Sequence, residues 1–149
     1  MVEEYAIPLS KIIENQGLEV LVMPRDASAI QIKTRDVVRP GLELNGFVDY
    51  FDNSRVAIIG RAEMGMLDKF SVEQKTDLIE RYFALHPIAV ILARGIRPWD
   101  AMLDAAQRYE IPLLMSLDTT SSALASLVAF LNVELAPRIT RHGVLMEVY

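Results

Sequence analysis

The run IAVILA, Ile88 to Ala93, is the feature that most constrains how this chain folds. It holds six apolar residues with no polar residue between them. Pro87 precedes it, and Arg94-Gly95 follows it. A strand with one solvated face alternates apolar and polar residues, whereas a strand of a parallel sheet, covered on both faces, does not. We therefore expect a sheet strand that lies inside the protein with helices on both sides.

The residues after this run predict a strand–helix–strand unit. A helix is expected from Pro98, and the pair Ile111-Pro112 ends it, because proline cannot continue a helix. Leu113 to Ser116 then reads as a second short apolar strand. Such a unit places its two strands parallel, with a right-handed crossover. The sequence thus predicts an α/β fold with a mostly parallel sheet flanked by helices.

Other elements are marked by their start and stop residues. Gly17 ends a first helix, and Ser71 with Gln74 three residues later forms a capping box for a helix that must end near His86, before a proline. Thr119 or Thr120 caps a last helix. The expected helices are Pro8–Asn15, Glu63–Lys69, one that begins at Ser71, one that begins at Pro98, and a last one that ends at about Ala136. Strands are expected at Leu18–Met23 and Arg55–Gly60.

The pair Asn45-Gly46 is a turn signal with two interpretations. It is typical of a tight hairpin, here joining Leu42–Leu44 to Phe47–Asp49. A single helical turn before it is the alternative.

The last helix carries more apolar surface than one face needs. Such a helix is either buried all round or packs against a second unit. Its expected core stripe is Leu124, Leu127, Val128, Leu131 and Leu135, and Ala125, Phe130 and Val133 widen it.

Composition excludes several classes of protein. The 149 residues contain no cysteine, which rules out disulfide scaffolds and thiolate metal sites. The net charge of -5 argues against a nucleic-acid binder. The acidic N-terminus does not resemble a secretory signal, and no apolar run is long enough for a membrane span. We expect a cytoplasmic protein that binds neither nucleic acid nor membrane.

Gly60 to Gly65 follows a strand with the glycine spacing of a phosphate loop. The lysine and hydroxyl residue that should come next are replaced by Met66 and Leu67, so neither the charge nor the metal ligand of such a loop is there. The preferred interpretation is a structural turn between a strand and a helix.

Polar candidates for chemistry are few. Asp49 and Asp52, with Glu43 nearby, could form a carboxylate cluster, but aspartates also cap turns, and that interpretation is preferred. With two distant histidines and no cysteine, a zinc site is not expected. For His86, at a helix end, a local role is favoured.

Arginines flank an aspartate in the stretch TRDVVRPG. Arg35 and Arg39 could hold a phosphate or carboxylate, or could pair with Asp36 and its neighbours. Local pairing is favoured. Trp99, at a helix start, is interpreted as a packing residue.

Four segments together resemble the N-terminal part of HPr kinase/phosphorylase. Two of these segments contain specific strings. One string is RPGLELNG followed by an aromatic residue and DYF, and the other is APR-x-T-x-HGVL-x-x-VY. The segments are IIENQGLEVL (Ile12–Leu21), RPGLELNGFVDYF (Arg39–Phe51), RVAIIGRAEM (Arg55–Met64) and LAPRITRHGVLMEVY (Leu135–Tyr149).

The resemblance implies a bifunctional bacterial enzyme of carbon catabolite regulation. Its members use ATP to phosphorylate a serine of the phosphocarrier HPr and remove that phosphate by phosphorolysis. They are hexameric, and ATP and Mg bind in a kinase half whose G-x-x-x-x-G-K-S loop lies just beyond the segment matched by His142 to Tyr149. That loop is absent here, so we expect this chain to be cut before it and to be inactive alone, with no cofactor or metal of its own.

The resemblance also divides the chain. Residues 1–134 would form an N-terminal α/β regulatory and assembly domain, similar in fold to the substrate-binding domains of muramyl ligases. Residues 135–149 would be a linker and the first strand of the missing kinase domain. His142 matches a family catalytic residue, which could act only with that domain.

Two alternatives to this function stay open. One is a free-standing module that binds a nucleotide-like or sugar-phosphate ligand. The other, ranked last, is an enzyme that uses Asp49, Asp52 and Arg39.

Overall fold

The computed structural model describes residues 2–3, 5–136 and 138–139, with side chains for 5–136. Strands and helices are interspersed along the chain, as the sequence predicts for an α/β fold. In chain order they are β1 Val2–Glu3, β2 Ile7–Pro8, α1 Leu9–Gln16, β3 Glu19–Val22, a 3-10 turn at Ala27–Ala29, β4 Gln31–Ile32, β5 Val37–Val38, α2 Gly41–Leu44, β6 Val56–Ile59, α3 Arg61–Leu67, α4 Val72–Phe83, β7 Ala89–Leu92, α5 Asp100–Arg108, β8 Leu113–Met115, α6 Thr120–Glu134 and β9 Arg138–Ile139.

Five strands form the central sheet in the order β3-β8-β7-β6-β5. The strands β5 to β8 are parallel, and β3 lies antiparallel to β8 at one edge. Every residue of β6, β7 and β8 is buried. The predicted α/β class, with a mostly parallel sheet and a doubly covered strand at IAVILA, is confirmed. The predicted likeness to muramyl ligases stays a prediction.

Helices cover both faces of the sheet. Ala57 and Ile59 of β6 lie in one core with residues of α4 and α5, whereas Val56 and Ile58 lie in the other core with residues of α1 and α6. Successive side chains of a strand point to opposite faces, so one short strand supplies both cores. Outside the sheet, β2 pairs with β4, and β1 pairs with β9 through Val2 opposite Ile139.

The hairpin at Asn45-Gly46 is wrong, and the alternative of a single helical turn is right. Gly41–Leu44 is helical, Asn45 follows as its C-cap, and Gly46 takes a positive φ of 91°. Leu44 is fully buried against the sheet, a position that the helical turn reaches. The turn signal was real, but it ends a helix instead of joining two strands.

The last helix is only partly as predicted. Leu127, Leu131 and Leu135 are buried, whereas Leu124 and Val128 are half-buried, and Val133 is 67% exposed. The helix is therefore not buried all round, and its apolar surplus faces outward. Most of the linker and kinase strand expected at residues 135–149 lies outside the described residues, which end at Ile139.

The capping box at the start of α4 is confirmed and can be tested. The Ser71 hydroxyl accepts the Gln74 backbone N–H at 3.1 Å, and the Gln74 side chain accepts the Ser71 N–H at 3.1 Å. Ser71→Ala is expected to lower the free energy of unfolding by about 1 kcal/mol. Urea denaturation checks this. Ser71→Asp, which keeps an acceptor, should unfold close to the parent, and equal losses in both variants would contradict the capping explanation.

Candidate functional site

The four parallel strands end at one edge of the sheet, and basic or hydroxyl residues follow each of them. Arg39 follows β5, Arg61 follows β6, Arg94 follows β7, and Thr119-Thr120 follows β8. In open α/β sheets, ligands bind outside the carboxyl ends of the strands. This edge of the sheet is therefore the candidate site.

The glycine-spaced loop at this edge is filled by the chain's own carboxylate. Glu63 is 7% exposed and accepts the Gly60 backbone N–H at 2.7 Å and the Arg39 guanidinium at 3.0 Å. A phosphate loop needs its backbone amides free and a lysine nearby. Here a negative group takes the amide, and Met66 and Leu67 replace the lysine and hydroxyl. The structural interpretation of this loop holds, and the loop does not fit Mg-ATP.

Arg39 does not pair locally, so the preferred prediction for the TRDVVRPG stretch is wrong for this residue. Its partner is Glu63, 24 positions later, and Asp36 lies 4.0 Å from Arg55 instead. In the described part of the chain, Arg35 has no ion-pair partner. The pairing follows from tertiary packing, because the end of β5 lies beside the start of α3.

A cavity of about 360 Å³ opens at the carboxyl ends of β6, β7 and β8, and we call it the arginine cavity. Arg94 is half-buried, and Arg61 is exposed. Within residues 5–136, neither guanidinium has an ion-pair partner. The cavity thus presents unneutralised positive charge. Its lining is Arg39, Arg61, Ala62, Arg94 and Thr119–Ser121.

The N-terminus of α6 forms one wall of the arginine cavity. Thr119 caps the helix by accepting the Ser122 N–H at 3.2 Å, as predicted. The next residue, Thr120, is only 8% exposed, and its hydroxyl has no hydrogen-bond partner in the described structure. The hydroxyl lies against the backbone of Gly60, which has no side chain to keep the two apart. A helix N-terminus carries partial positive charge, which adds to that of the arginines.

A second cavity of about 470 Å³ adjoins the first, and both include Arg61 and Arg94. Trp99 lines it, donates its indole N–H to the Thr76 hydroxyl at 2.9 Å, and packs against the core. Lys75 lies over its ring, 4.4 Å from the centroid. The interpretation of Trp99 as a packing residue is confirmed.

The other sequence candidates are not brought together. Asp52 accepts the Ser54 backbone N–H and hydroxyl at 2.9 and 2.6 Å, and these hydrogen bonds lower the pKa of its carboxyl. Asp52 therefore caps a turn, which was the preferred interpretation of this residue. No group of three or more His, Asp or Glu residues suited to a metal occurs where the chain is described. His86 is exposed and has a φ of 57°. Its ring lies in an edge-type arrangement with the Tyr109 ring, with the centroids 6.5 Å apart. His142 lies outside the described residues.

Sequence reasoning missed Arg61, Arg94 and Thr120. A signal was present, since each stands within a few residues of the carboxyl end of a buried strand.

Among the helices that the structure describes, none is long and apolar enough to cross a bilayer.

The buried Glu63 carboxylate should be needed for stability. Glu63→Ala leaves the Gly60 N–H without its acceptor, and we expect a loss of roughly 1–3 kcal/mol in the free energy of unfolding. Glu63→Gln retains an acceptor oxygen and should lose less. Chemical denaturation followed by Trp99 fluorescence measures both. A Glu63→Ala protein as stable as the parent would show that the carboxylate is dispensable.

Comparison with known families gives one match that covers most of the chain. Residues 7–131 match the family described as HPr Serine kinase N terminus. The matched range takes in the whole central sheet and the arginine cavity.

Curated relatives carry the same family name. The HPr kinase/phosphorylase of Lachnoclostridium phytofermentans is 37% identical over 97% of this chain and 47% of its own length. That of Caldicellulosiruptor bescii is 40% identical over 95% of this chain and 45% of its own length. The enzyme of Clostridium acetobutylicum is 38% identical over 96% and 46%. The chain thus spans about half the length of these relatives.

A solved structure shares the fold. The regulatory region of Clostridium perfringens pyrophosphatase, with CBS and DRTGG domains and complexed with diadenosine tetraphosphate, superposes with a TM-score of 0.59. The match covers 81% of this chain and 46% of that one, at 15% identity, so it bears on fold alone. The family match and the relatives agree with the resemblance seen in the sequence: this chain belongs to the HPr Serine kinase N terminus family.

Proposed function

We propose that this chain is the N-terminal, non-catalytic part of an HPr kinase/phosphorylase. The observation that carries this proposal is the match of residues 7–131 to the N-terminal family, by a chain that spans about half of its relatives. In this proposal, residues 1–134 are the regulatory and assembly domain, and residues 135–149 are the linker and first kinase strand, with His142 reaching the kinase site.

The proposed activity of the whole enzyme is phosphorylation of a serine of HPr with ATP, and its reversal by phosphorolysis. ATP and Mg are assigned to the kinase half. The filled loop at Gly60 supports that assignment, because Glu63 would repel phosphate there. HPr as partner, a hexamer and a cytoplasmic location belong to the same proposal. Val133, exposed on α6, agrees with contact to a second unit.

Phosphate transfer to HPr tests the proposal directly. HPr is incubated with ATP and Mg, once with this chain and once with the product of the longer reading frame that contains it. We expect phosphoserine on HPr only with the longer protein. Phosphoserine formed by this chain alone would contradict the non-catalytic role. A longer protein that folds but neither phosphorylates HPr with ATP nor removes the phosphoryl group from phosphoserine-HPr in the presence of inorganic phosphate would contradict the enzyme assignment.

A further inference from the structure

We propose that the arginine cavity binds a small anion that carries phosphate, such as a phosphate ester or diphosphate. This inference goes beyond the function proposed above and does not depend on it, because it rests on residues of this chain alone. Those residues are the guanidinium groups at the carboxyl ends of β6 and β7 and the N-terminal turn of α6.

The charge of its lining favours an anion in this cavity. The chain has a net charge of -5, yet three arginines line this cavity. Glu63 neutralises Arg39 at 3.0 Å, but Arg61 and Arg94 have no ion-pair partner anywhere in residues 5–136. Asp118 is close, and its exposed carboxylate pairs with neither arginine in that same range. Unpaired guanidinium groups facing one concave surface favour an anion with more than one negative charge.

The lining of the cavity also contains an unpartnered hydroxyl. Thr120 is more than nine-tenths buried at the floor of the cavity, and its Oγ1 makes no hydrogen bond in the described structure. Buried polar groups are normally paired, so one that is not calls for an explanation. Thr120 is among the residues that line the cavity, and an oxyanion bound there would supply the hydrogen-bond acceptor that its hydroxyl lacks. The 15-residue helix α6 adds the free amides and partial positive charge of its first turn.

The backbone conformation also holds Arg94 in place at the cavity. Arg94 has a left-handed φ of 61°, and Gly95 follows with 66°. The Arg94 N–H donates to the Asp118 carbonyl at 2.7 Å, and the Gly95 N–H donates to the Ser116 carbonyl at 2.8 Å. These bonds tie the loop after β7 to the segment that leads into α6. A non-glycine residue kept in this conformation is a pattern that recurs at binding sites.

The geometry also indicates which part of a ligand goes where. Arginine forks and helix N-termini both suit phosphate oxygens. The organic part of an ester would extend into the adjoining cavity of about 470 Å³, which shares Arg61 and Arg94 and has Ile96, Met64 and Trp99 in its wall. No metal is needed, and the arginine cavity has no carboxylate among its lining residues to hold one.

Calorimetric titration of this chain tests the site, at low ionic strength and without divalent cations. The probes are inorganic phosphate, diphosphate, a hexose phosphate and a nucleoside 5′-monophosphate. We expect at least one to bind with one-to-one stoichiometry, and the ranking of the four separates free phosphate groups from esters. Arg61→Ala and Arg94→Ala should each weaken that binding by about tenfold or more. Arg81→Ala, an exposed arginine of α4 paired with Asp77, is the matched control and should bind as the parent does.

Thr120→Val separates binding from folding. It keeps the shape of the side chain and removes a hydroxyl that has no partner in the free protein. The variant should therefore melt at the same temperature as the parent or higher, while it binds the best probe several-fold more weakly. The proposal is overturned if none of the four probes binds, or if Arg61→Ala binds as tightly as the Arg81→Ala control.

Discussion

Phe83→Ala is expected to lower the free energy of unfolding by about 3–5 kcal/mol, the largest loss among the substitutions considered. Phe83 is fully buried at the end of α4, in the core between that helix and the sheet. Its ring packs beside Tyr82, with centroids 6.0 Å apart. Truncation removes this apolar area and leaves a cavity that close-packed neighbours fill only in part.

Urea denaturation followed by far-ultraviolet circular dichroism measures the effect of Phe83→Ala. Phe70→Ala is the matched control, because Phe70 is the same residue type, precedes α4 and is 39% exposed. It should lose less than half as much. A similar loss in both variants would mean that the core assignment of Phe83 is wrong.

Gly60→Ala is the second substitution with a large expected effect. A Cβ at Gly60 would stand 2.1 Å from the Thr120 Oγ1 and 2.9 Å from the Thr120 Cβ. These atoms belong to a short side chain at the start of a packed helix, so α6 or the end of β6 must move. We expect a loss of roughly 3 kcal/mol in the free energy of unfolding, at the upper end for an overpacked site.

Two variants make the Gly60 experiment specific. Gly65→Ala places a methyl group inside α3, where nothing lies within 4 Å, and should stabilise the protein by about 0.5–1 kcal/mol. Adding Thr120→Ala to Gly60→Ala removes the two nearest atoms and should recover part of the loss. If the two substitutions are strictly additive, the Gly60–Thr120 contact does not cause the destabilisation.

Local signals in the sequence predicted the elements well. The apolar run at IAVILA predicted a strand buried on both faces, because it is too short for a buried helix and is bounded by Pro87 and Arg94-Gly95. Gly17 ends α1 with φ of 61°, and Ser71 caps α4, because helix ends need residues of these types. At Asn45-Gly46, the same local chemistry fitted two structures, and burial of Leu44 decided between them.

What could not be predicted depends on contacts between distant segments. The Arg39–Glu63 pair joins residues 24 positions apart, and the antiparallel β3 lies beside β8, more than ninety residues later. The arginine cavity gathers four segments that meet only because the strands before them are neighbours in the sheet. The order of strands is a tertiary property, so the residues of this site carry no shared local motif.

The left-handed backbone at Arg94 sets stability against recognition. Glycine adopts that conformation freely, and an arginine held there is strained by about 1–2 kcal/mol. Arg94→Gly should therefore raise the free energy of unfolding, while it removes a guanidinium group from the cavity. Selection for thermal stability alone would favour glycine at this position. An arginine that persists there among natural variants would therefore indicate a selected function other than stability.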